Sequence, residues 1–452
     1  MNEIEKQVLK KITPSGIYRK KLETIIKEIK VEIEKEIVNR KLPVTIELVG
    51  STAKDTYLQD NLDIDFFLSF PLKYPKEVIA KSALSIGKKL LKDTEESYAE
   101  HPYLRGYYNK YYVEIVPCYK IENASQKLSA VDRTPLHTKF IKENLLESQK
   151  SEVRLFKQFL MGIGCYGAEA EIEGFSGYLC EIIVLRFTTF QKILENVKNW
   201  KSGEKLALSK GSYPDFDTPL TFIDPVDTNR NVASAVSIEK FDLFVKACKE
   251  YLKKPNINFF FPNKIRPWLQ DKIKKEIQKQ KYLYTGIKFI KPKIIDENLY
   301  PQIRKACRSI WQACERYGFT VYDISFYIDN KIEFVYIIIK SKDETLSMTY
   351  QHKGPPISLK ENAQEFISKW KDEQKVTKKP YQQNNRLYVD IKRDYRNIKH
   401  FLSDQIKDLS MGKHIDKIVK KKYKILEKKD LIIKPLEEFW TKYLDNKNSW
   451  ER

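Results

Sequence analysis

The stretch LVGSTAKDTYLQDNLDIDFFLSF, residues 48–70, carries two aspartates inside an apolar run. Side chains at positions i and i+2 of a strand lie on the same face of a sheet. Asp63 and Asp65 are therefore predicted to point to one side, while Ile64 and Phe66 face the core. Two neighbouring carboxylates repel each other unless a cation lies between them. Hard oxygen ligands of this kind suit Mg²⁺ or Mn²⁺.

A third acid and a Gly-Ser pair extend this candidate site. Glu114 lies in the middle of the apolar run YYVEIVPCY, where an unpaired carboxylate costs free energy. If that strand is a neighbour of the first, Glu114 adds a third ligand, and three carboxylates can hold the two metals used in nucleotidyl transfer. Gly50 lets backbone N–H groups approach a phosphate, and the Ser51 hydroxyl adds a donor. Each feature alone is also typical of an ordinary turn or edge strand, so the combination carries the prediction.

The alternation of apolar and polar residues predicts an α+β, multidomain chain, and a length of 452 residues favours about three domains. We predict a mixed α/β head over 1–140, a helical central domain over 141–255, and an α+β C-terminal region, body and tail, over 256–452. The predicted elements of the head are helices at 2–11, 16–40 and 76–93 and strands at 44–51, 62–70 and 111–121. The segment PNINFFFP (255–262) is predicted to be β-rich.

The charge balance indicates a polyanionic partner. The chain has 82 Lys and Arg against 61 Asp and Glu, a net charge of +21. A solvated lysine-rich surface is the plainer interpretation, and we favour a polyanion only because a phosphate-handling site accompanies the charge.

Cysteine usage and hydropathy favour a cytoplasmic protein. The six cysteines form no C-x-x-C pair, which argues against a structural zinc site and a disulfide framework. A reduced, intracellular compartment fits this usage. The N-terminal residues are charged, unlike a signal peptide, and no window approaches the length of a membrane span, so no membrane partner is expected.

The order G-S, D-x-D and a third strand acid resembles the polymerase-beta-type nucleotidyltransferase superfamily. Further segments closely resemble the archaeal-type (class I) tRNA CCA-adding enzymes, which are tRNA nucleotidyltransferases, in the right order over nearly the whole chain. These segments are YAEHPYLRG (98–106), VPCYK (116–120), SAVDRTPLHTKF (129–140), EVRLFKQFLMGIGCYGAE (152–169), GFSGYLCE (174–181), DPVDTNRNVASAVS (224–237), KPKIIDENLYPQIR (291–304) and HKGPPISLKENAQEFISKW (352–370).

The resemblance implies addition of C, C and A to the 3′ end of tRNA without a nucleic-acid template. CTP and ATP would be the donors, and pyrophosphate would leave. Asp63, Asp65 and Glu114 would be the catalytic metal ligands. The third ligand is usually Asp in this superfamily, so Glu114 departs from the pattern by one methylene.

The resemblance also implies residues that contact the incoming nucleotide. His101 would lie near it, although a structural histidine fits the position nearly as well. Thr134 and His137 would contact the triphosphate, whereas Arg133 beside them fits a surface ion pair too. Lys157 lies on a partly apolar helix face, where a snorkelling lysine is the alternative to the phosphate counter-charge that we favour.

Tyr166 would share the phosphate site, and its alternative is a core tyrosine. Arg230 would present its donors to the Watson–Crick edge of the incoming base, acting together with the tRNA backbone. The alternative for Arg230 is a salt bridge to Asp224 or Asp227.

The C-terminal half would hold the acceptor stem and T arm of tRNA. A-form RNA is recognised by shape and phosphates, which requires basic surface rather than a base code. The sequence leaves open whether the chain forms a homodimer. The candidate tRNA contacts are Lys264, Lys291, Lys293, Lys353 and Arg386, together with the basic tail KKKYK (420–424).

Two other functions remain open from sequence. A poly(A) polymerase or another terminal RNA nucleotidyltransferase uses the same head domain, with substrate choice set by the region after residue 141. A catalytically silent RNA-binding protein is the second alternative, and the presence of all three acids argues against it.

Overall fold

The structure, a computed structural model, describes residues 1–59, 62–98 and 102–452. These residues form two compact units. The N-terminal unit is Met1–Lys264 with Lys447–Arg452, and the C-terminal unit is Ile265–Asn446.

The N-terminal unit combines a mixed sheet with a group of helices. Its helices are α1 Glu3–Ile12, α2 Gly16–Asn39, α3 Gly50–Lys54, α4 Lys76–Leu90, α5 Thr134–Asn144, α6 Glu147–Gly162, α7 Gly177–Phe187, α8 Phe190–Val197 and α9 Ile238–Lys253. Its strands are β1 Thr45–Val49, β2 Ile64–Phe70, β3 Lys92–Tyr98, β4 Pro102–Tyr108, β5 Tyr111–Tyr119, β6 Glu204–Leu206 and β7 Leu220–Phe222.

Within the residues described, the main sheet has five strands in the order β1-β2-β5-β4-β3. β2 pairs parallel with β5, and the other neighbours pair antiparallel, so the sheet is mixed as predicted. In the parallel pair, Asp65 lies opposite Glu114. The two acidic strands are therefore neighbours, which is the condition that the sequence left open.

One face of this sheet is covered by α2 and α4. Ile64, Phe66, Leu68 and Phe70 alternate along β2 and are fully buried against apolar residues of these helices. The residues between them point to the opposite face, beginning with Asp65. The period of two thus puts the apolar residues on one face of β2 and Asp65 on the other, where Phe67 and Ser69 are buried as well.

A second core lies among the helices of the N-terminal unit and draws its apolar residues mainly from α6 to α9. The last residues of the chain belong to this core. The Trp450 ring stacks on Phe259 with centroids 5.1 Å apart, and its indole N–H donates to the Glu250 carboxylate at 2.7 Å. Residues 447–452 therefore depart from the predicted 256–452 region.

The C-terminal unit has its own helices and two sheets. Its helices are α10 Gln270–Lys279, α11 Asp296–Tyr317, α12 Lys360–Trp370, α13 Ile398–Gln405, α14 Lys413–Lys421 and α15 Glu437–Asp445. Its strands are β8 Tyr282–Ile290, β9 Val321–Asp329, β10 Phe334–Lys342, β11 Thr349–Pro356, β12 Val376–Gln383, β13 Arg386–Lys392 and β14 Lys424–Leu426.

The two sheets of the C-terminal unit run β14-β8-β10-β9 and β11-β13-β12 over the described residues. β10 is buried on both faces. Val335, Ile337 and Ile339 join a core with α11, whereas Tyr336 and Ile338 join a second core with α10 and α15. A continuous apolar run is the pattern expected of such a central strand.

Three local predictions differ from the structure. β3 and β4 were not predicted. The sequence of β3, KDTEESY, lacks the apolar alternation that marks a strand. Asp63 lies one residue before β2 and not within it. The pairing of β1 with β2 ends at Asp65, because the chain turns away after the last residue of β1. The segment PNINFFFP is not a strand but contains a 3₁₀ turn at Ile257–Phe259, whose aromatic rings join the helical core.

Across the parts of the chain that the structure describes, every helix is too short or too polar to cross a membrane.

Replacing Trp450 tests whether the chain end belongs to the N-terminal core. Trp450→Ala is expected to lower the free energy of unfolding by about 3–5 kcal/mol, because it removes a buried aromatic ring. The matched control Trp450→Phe keeps a ring but loses the N–H bond, and should cost about 1 kcal/mol. Equilibrium urea unfolding measures both, and wild-type stability of Trp450→Ala would contradict the assignment.

Candidate active site

The turn after β1 brings the backbone against a carboxylate. Gly50 has a φ of +71°, in the left-handed region. A Cβ at this position would lie 2.0 Å from the Asp65 Oδ2 atom. Only glycine satisfies both the backbone angle and the close approach. Ser51 follows directly, so the predicted Gly-Ser pair and the predicted acid pack together.

Burial raises the pKa values of the three predicted acids, and neighbouring carboxylates add to the shifts of Asp65 and Glu114. Burial raises the pKa of Asp65 to about 8, with further contributions from the Glu114 and Asp63 carboxylates, while the Lys54 ammonium acts in the opposite direction. Burial also raises the pKa values of Asp63 and Glu114, and in both cases Arg105 opposes the shift. The Arg105 Nε atom lies 3.5 Å from Glu114 Oε1. The three carboxylates thus form one electrostatic group.

Divalent cations fit this donor set. Carboxylate oxygens are hard ligands, and a cation would relieve the repulsion that adds to the raised pKa values of Asp65 and Glu114. Among the described residues, no three Asp, Glu, His or Cys side chains converge closely enough to form a metal site as they stand. The assignment of Asp63, Asp65 and Glu114 as three ligands stays a prediction.

A cavity of about 550 Å³ opens beside the acids. It brings together four residues predicted from sequence, since Ser51, Asp63, Asp65 and Tyr166 all line it. The other lining residues are Leu62, Met161, Gly164, Gly167, Glu169 and Ile172. This volume suits a ligand of small-molecule size.

Lys157 is fully buried in an ion cluster. Its Nζ atom donates to the Thr56 carbonyl and hydroxyl oxygens, both at 3.2 Å, and lies 3.5 Å from Glu181 Oε1. Lys54 donates to the other oxygen of Glu181 at 2.5 Å, and the Thr56 hydroxyl donates to Oε1 at 2.6 Å. One carboxylate therefore serves two lysines. The phosphate contact of Lys157 stays a prediction.

Tyr166 lies between this ion cluster and the acids. A Cβ on Gly177 would lie 3.2 Å from the Tyr166 hydroxyl oxygen and 3.7 Å from Lys157 Nζ. Burial raises the pKa of Tyr166, and Glu181 and Asp63 both add to the shift. The phenol therefore stays protonated and can act as a hydrogen-bond donor.

A second cluster surrounds Asp224, which is fully buried. His137 Nε2 and Arg230 NH1 each lie 2.9 Å from its Oδ2 atom. Its Oδ1 atom accepts bonds from the Tyr178 hydroxyl at 3.1 Å and the Val226 N–H at 3.0 Å. Of the two salt bridges that the sequence offered Arg230, the structure forms the one to Asp224.

Asp227 has different partners. It accepts bonds from Lys127 Nζ at 2.6 Å and from Arg133 NH1 at 2.8 Å. Thr134 follows Arg133 as the first residue of α5 and is half-buried. The ion pair considered for Arg133 is therefore present, and the triphosphate contact of Thr134 stays a prediction.

His137 is neutral and Asp224 is ionised. Burial lowers the pKa of His137, although Asp224 opposes the shift. Burial alone would raise the pKa of Asp224, but the bonds from His137, Val226 and Arg230 bring it to about 2. A carboxylate only accepts hydrogen bonds, so we assign the proton of His137 to Nε2.

The remaining predicted contacts are His101 and the candidate tRNA-binding residues. His101 lies outside the described residues. Lys264 is exposed in the N-terminal unit, and Lys293 and Lys353 are exposed in the C-terminal unit. Lys291 donates to Asn330 Oδ1 at 2.9 Å, and Arg386 donates to the Gly354 carbonyl at 2.7 Å. Their roles in tRNA binding stay predictions.

Sequence reasoning missed Glu181, Lys54 and Arg105. Glu181 is an acid within the apolar run of α7, and buried acids require partners. Lys54 follows Ser51 by one helical turn, which puts it on the same side of α3. These two signals were present in the sequence, whereas the approach of Arg105 to Glu114 depends on the order of β4 and β5.

Three family models cover the chain in order. Residues 30–137 match the nucleotidyltransferase domain, 151–261 the second domain of tRNA nucleotidyltransferase, and 281–428 the C-terminal domain of the CCA-adding enzyme. The CCA-adding enzyme of Methanosarcina barkeri is 33% identical over 429 residues, 94% of each chain. That of Picrophilus torridus is 35% identical over 413 residues, 91% of this chain and 93% of the relative.

The chain belongs to the CCA-adding enzyme family. The resemblance and the fold class predicted from sequence are confirmed. As a member of the CCA-adding enzyme family, the protein is a nucleotidyltransferase, and this superfamily uses divalent metal ions.

Adding one methyl group at Gly50 tests the close approach to Asp65. Gly50→Ala is expected to lower the rate of nucleotide incorporation about 100-fold, because the new Cβ would displace the carboxylate of Asp65, a predicted metal ligand. Gly203→Ala is the matched control, since Gly203 has a φ of +91° and open space around its Cβ position. Both variants should lose about 1 kcal/mol of stability through backbone strain. Equal rates for the two variants would contradict this role of Gly50.

The lowered pKa of His137 predicts a pH dependence of stability. The ordinary value is 6.5, so as the pH falls the unfolded chain takes up the proton before the folded chain does. Stability from this group is complete above about pH 6.5 and declines below it. The free energy of unfolding should therefore fall more between pH 7.5 and 5.5 for the wild type than for His137→Gln. Parallel pH profiles of the two proteins would contradict a neutral buried His137.

Proposed function

We propose that this protein adds C, C and A to the 3′ end of tRNA without a nucleic-acid template. CTP and ATP are the donors, and pyrophosphate is released. The observation that carries the proposal is the pairing of Asp65 with Glu114 beside the Gly50 turn. Asp65 lines a cavity of about 550 Å³ in a chain of the CCA-adding enzyme family.

The reaction joins the terminal hydroxyl of the RNA to the α-phosphorus of the nucleotide. A bond forms between the 3′ oxygen and this phosphorus, and the bond to the β-phosphate oxygen breaks. The hydroxyl loses its proton and pyrophosphate leaves. Asp63, Asp65 and Glu114 would hold two divalent ions, Mg²⁺ or Mn²⁺, which would lower the pKa of the hydroxyl and neutralise negative charge on the phosphates.

The triphosphate lies, in this proposal, in the cavity next to the cluster of Lys54, Glu181 and Lys157. The two lysines share the one carboxylate of Glu181, and a phosphate nearby would favour the charged form of Lys157, whose pKa burial lowers. Ser51 and Tyr166, whose hydroxyl groups are hydrogen-bond donors, line the same cavity as Asp63 and Asp65. Thr134 and His137 complete the set of phosphate contacts.

Arg230 reads the incoming base in this proposal. Its side chain is 31% exposed while one NH group is bound to Asp224. The remaining N–H groups are free to meet acceptors on C or A, and the planar fork fits G and U less well.

The tRNA is held through its acceptor stem and T arm by basic surface. The exposed side chains of Lys264, Lys293 and Lys353 support this binding, and the net charge of +21 favours a polyanion.

Sequencing of extended RNA ends tests the function. Purified protein is incubated with Mg²⁺, CTP, ATP and a tRNA that lacks its last three nucleotides. Ends that read CCA and stop there are the expected result. Long tails of A would move the protein to the poly(A) polymerases, and no extension would favour a silent RNA-binding protein.

A single substitution separates chemistry from RNA binding in the same assay. Asp65→Ala should reduce extension below detection while tRNA binding in a gel-shift assay persists. Asp242→Ala removes one exposed carboxylate from α9 and should leave extension unchanged. Normal extension by Asp65→Ala would refute the role given to the acids.

A further inference from the structure

One buried carboxylate connects three segments of the N-terminal unit. Asp224 lies in the loop after β7 and contacts His137 from α5, Tyr178 from α7, and Arg230 from its own loop. None of its surface is exposed. A buried charge with this many donors is fixed in place, because each lost bond would leave an unpaired group in the interior.

The two oxygens of Asp224 have separate partners. Oδ2 is shared by Arg230 NH1 and His137 Nε2, each at 2.9 Å. Oδ1 is held by the Tyr178 hydroxyl and the Val226 N–H. The imidazole of His137 also stacks on the Tyr178 ring, with centroids 4.1 Å apart and planes inclined by 21°. Tyr178 and Val226 thus fix the Oδ1 atom of the carboxylate, and its Oδ2 atom binds the side chains of His137 and Arg230.

We propose that Asp224 is a positioning residue that sets nucleotide selection through Arg230. The inference rests on the proposed function, in which Arg230 reads the base and His137 contacts the triphosphate. By binding both groups with one oxygen, Asp224 fixes the direction of the guanidinium relative to the phosphate site. A base then meets a fork of fixed orientation, and bases whose acceptors do not match that orientation are excluded.

Asp227 is a nearby carboxylate with different side-chain partners. It belongs to the same loop but pairs with Lys127 and Arg133. The side chains of His137 and Arg230 bond to the carboxylate of Asp224 and not to that of Asp227. The two acids therefore form a matched pair for substitution.

The test compares Asp224→Asn with Asp227→Asn in the full-length protein. An amide has one oxygen, so Asp224→Asn cannot accept bonds on both of its sides. We measure kcat/KM for CTP, ATP, UTP and GTP separately on tRNA primers, with the melting temperature of each variant. Asp224→Asn is expected to lose at least about tenfold of its discrimination against UTP and GTP, while Asp227→Asn keeps the wild-type ratio.

A double substitution shows whether Asp224 acts through Arg230. In an Arg230→Ala background, adding Asp224→Asn should change the discrimination ratio by less than about twofold, because the group that Asp224 orients is gone. Wild-type discrimination by Asp224→Asn, or an equal fall in rate for all four nucleotides, would overturn the proposal and leave Asp224 a structural residue. So would a full additive loss in the double variant.

Tyr178→Phe decides the matter if Asp224→Asn does not fold. It removes only the hydroxyl that holds Oδ1 and keeps the ring stacked on His137. A loss of discrimination of about threefold is expected, and an unchanged ratio would overturn the proposal. Failure of the wild type to add C and A would instead refute the proposed function, so the two failures are distinguishable.

Discussion

The site depends on the ion cluster in which the Glu181 carboxylate binds both Lys54 and Lys157. Lys54 comes from α3, beside the mixed sheet, and Lys157 comes from α6 in the helical part. A buried carboxylate and two buried ammonium groups are costly to remove from water, and losing one partner of a buried pair typically costs about 3–5 kcal/mol. Their geometry therefore fixes the sheet-borne turn against the helices.

This constraint explains why α7 organises both clusters. Gly177, Tyr178 and Glu181 lie within its first turns, and each contacts a different group. Gly177 leaves room for Tyr166 and Lys157, Tyr178 bonds to Asp224, and Glu181 binds the lysines. One short helix thus sets the distance between the cavity with its acids and the network around Asp224. The apolar residues at the other positions of α7 are largely buried, and they hold this helix in the core.

Sequence reasoning found what depends on short-range pattern. The alternation in β2 predicted the buried face and the two acids, and the pairing of Asp65 with Glu114 followed once the strands were neighbours. It did not predict β3, whose residues are almost all polar. It also left open whether Arg230 pairs with Asp224 or with Asp227. Which acid pairs with Arg230 depends on how the loop after β7 folds back toward α5, and residue spacing does not encode that contact. The burial of Lys157 likewise depends on α3 and α7, which are distant in sequence.

The acids at the cavity and the cluster of Lys54, Glu181 and Lys157 have opposite electrostatic needs. On the acid side, burial raises the pKa of Asp65 to about 8 and the Glu114 and Asp63 carboxylates add to the shift, so a cation bound there would be stabilising. In the lysine cluster, Lys54 and Lys157 share the one carboxylate of Glu181 and burial lowers the pKa of Lys157, so an anion bound nearby would favour its charged form. A nucleoside triphosphate with its divalent ions carries both charges at once. The arrangement therefore favours the complete metal–nucleotide complex over either part alone, because each part corrects an imbalance that the other leaves in place.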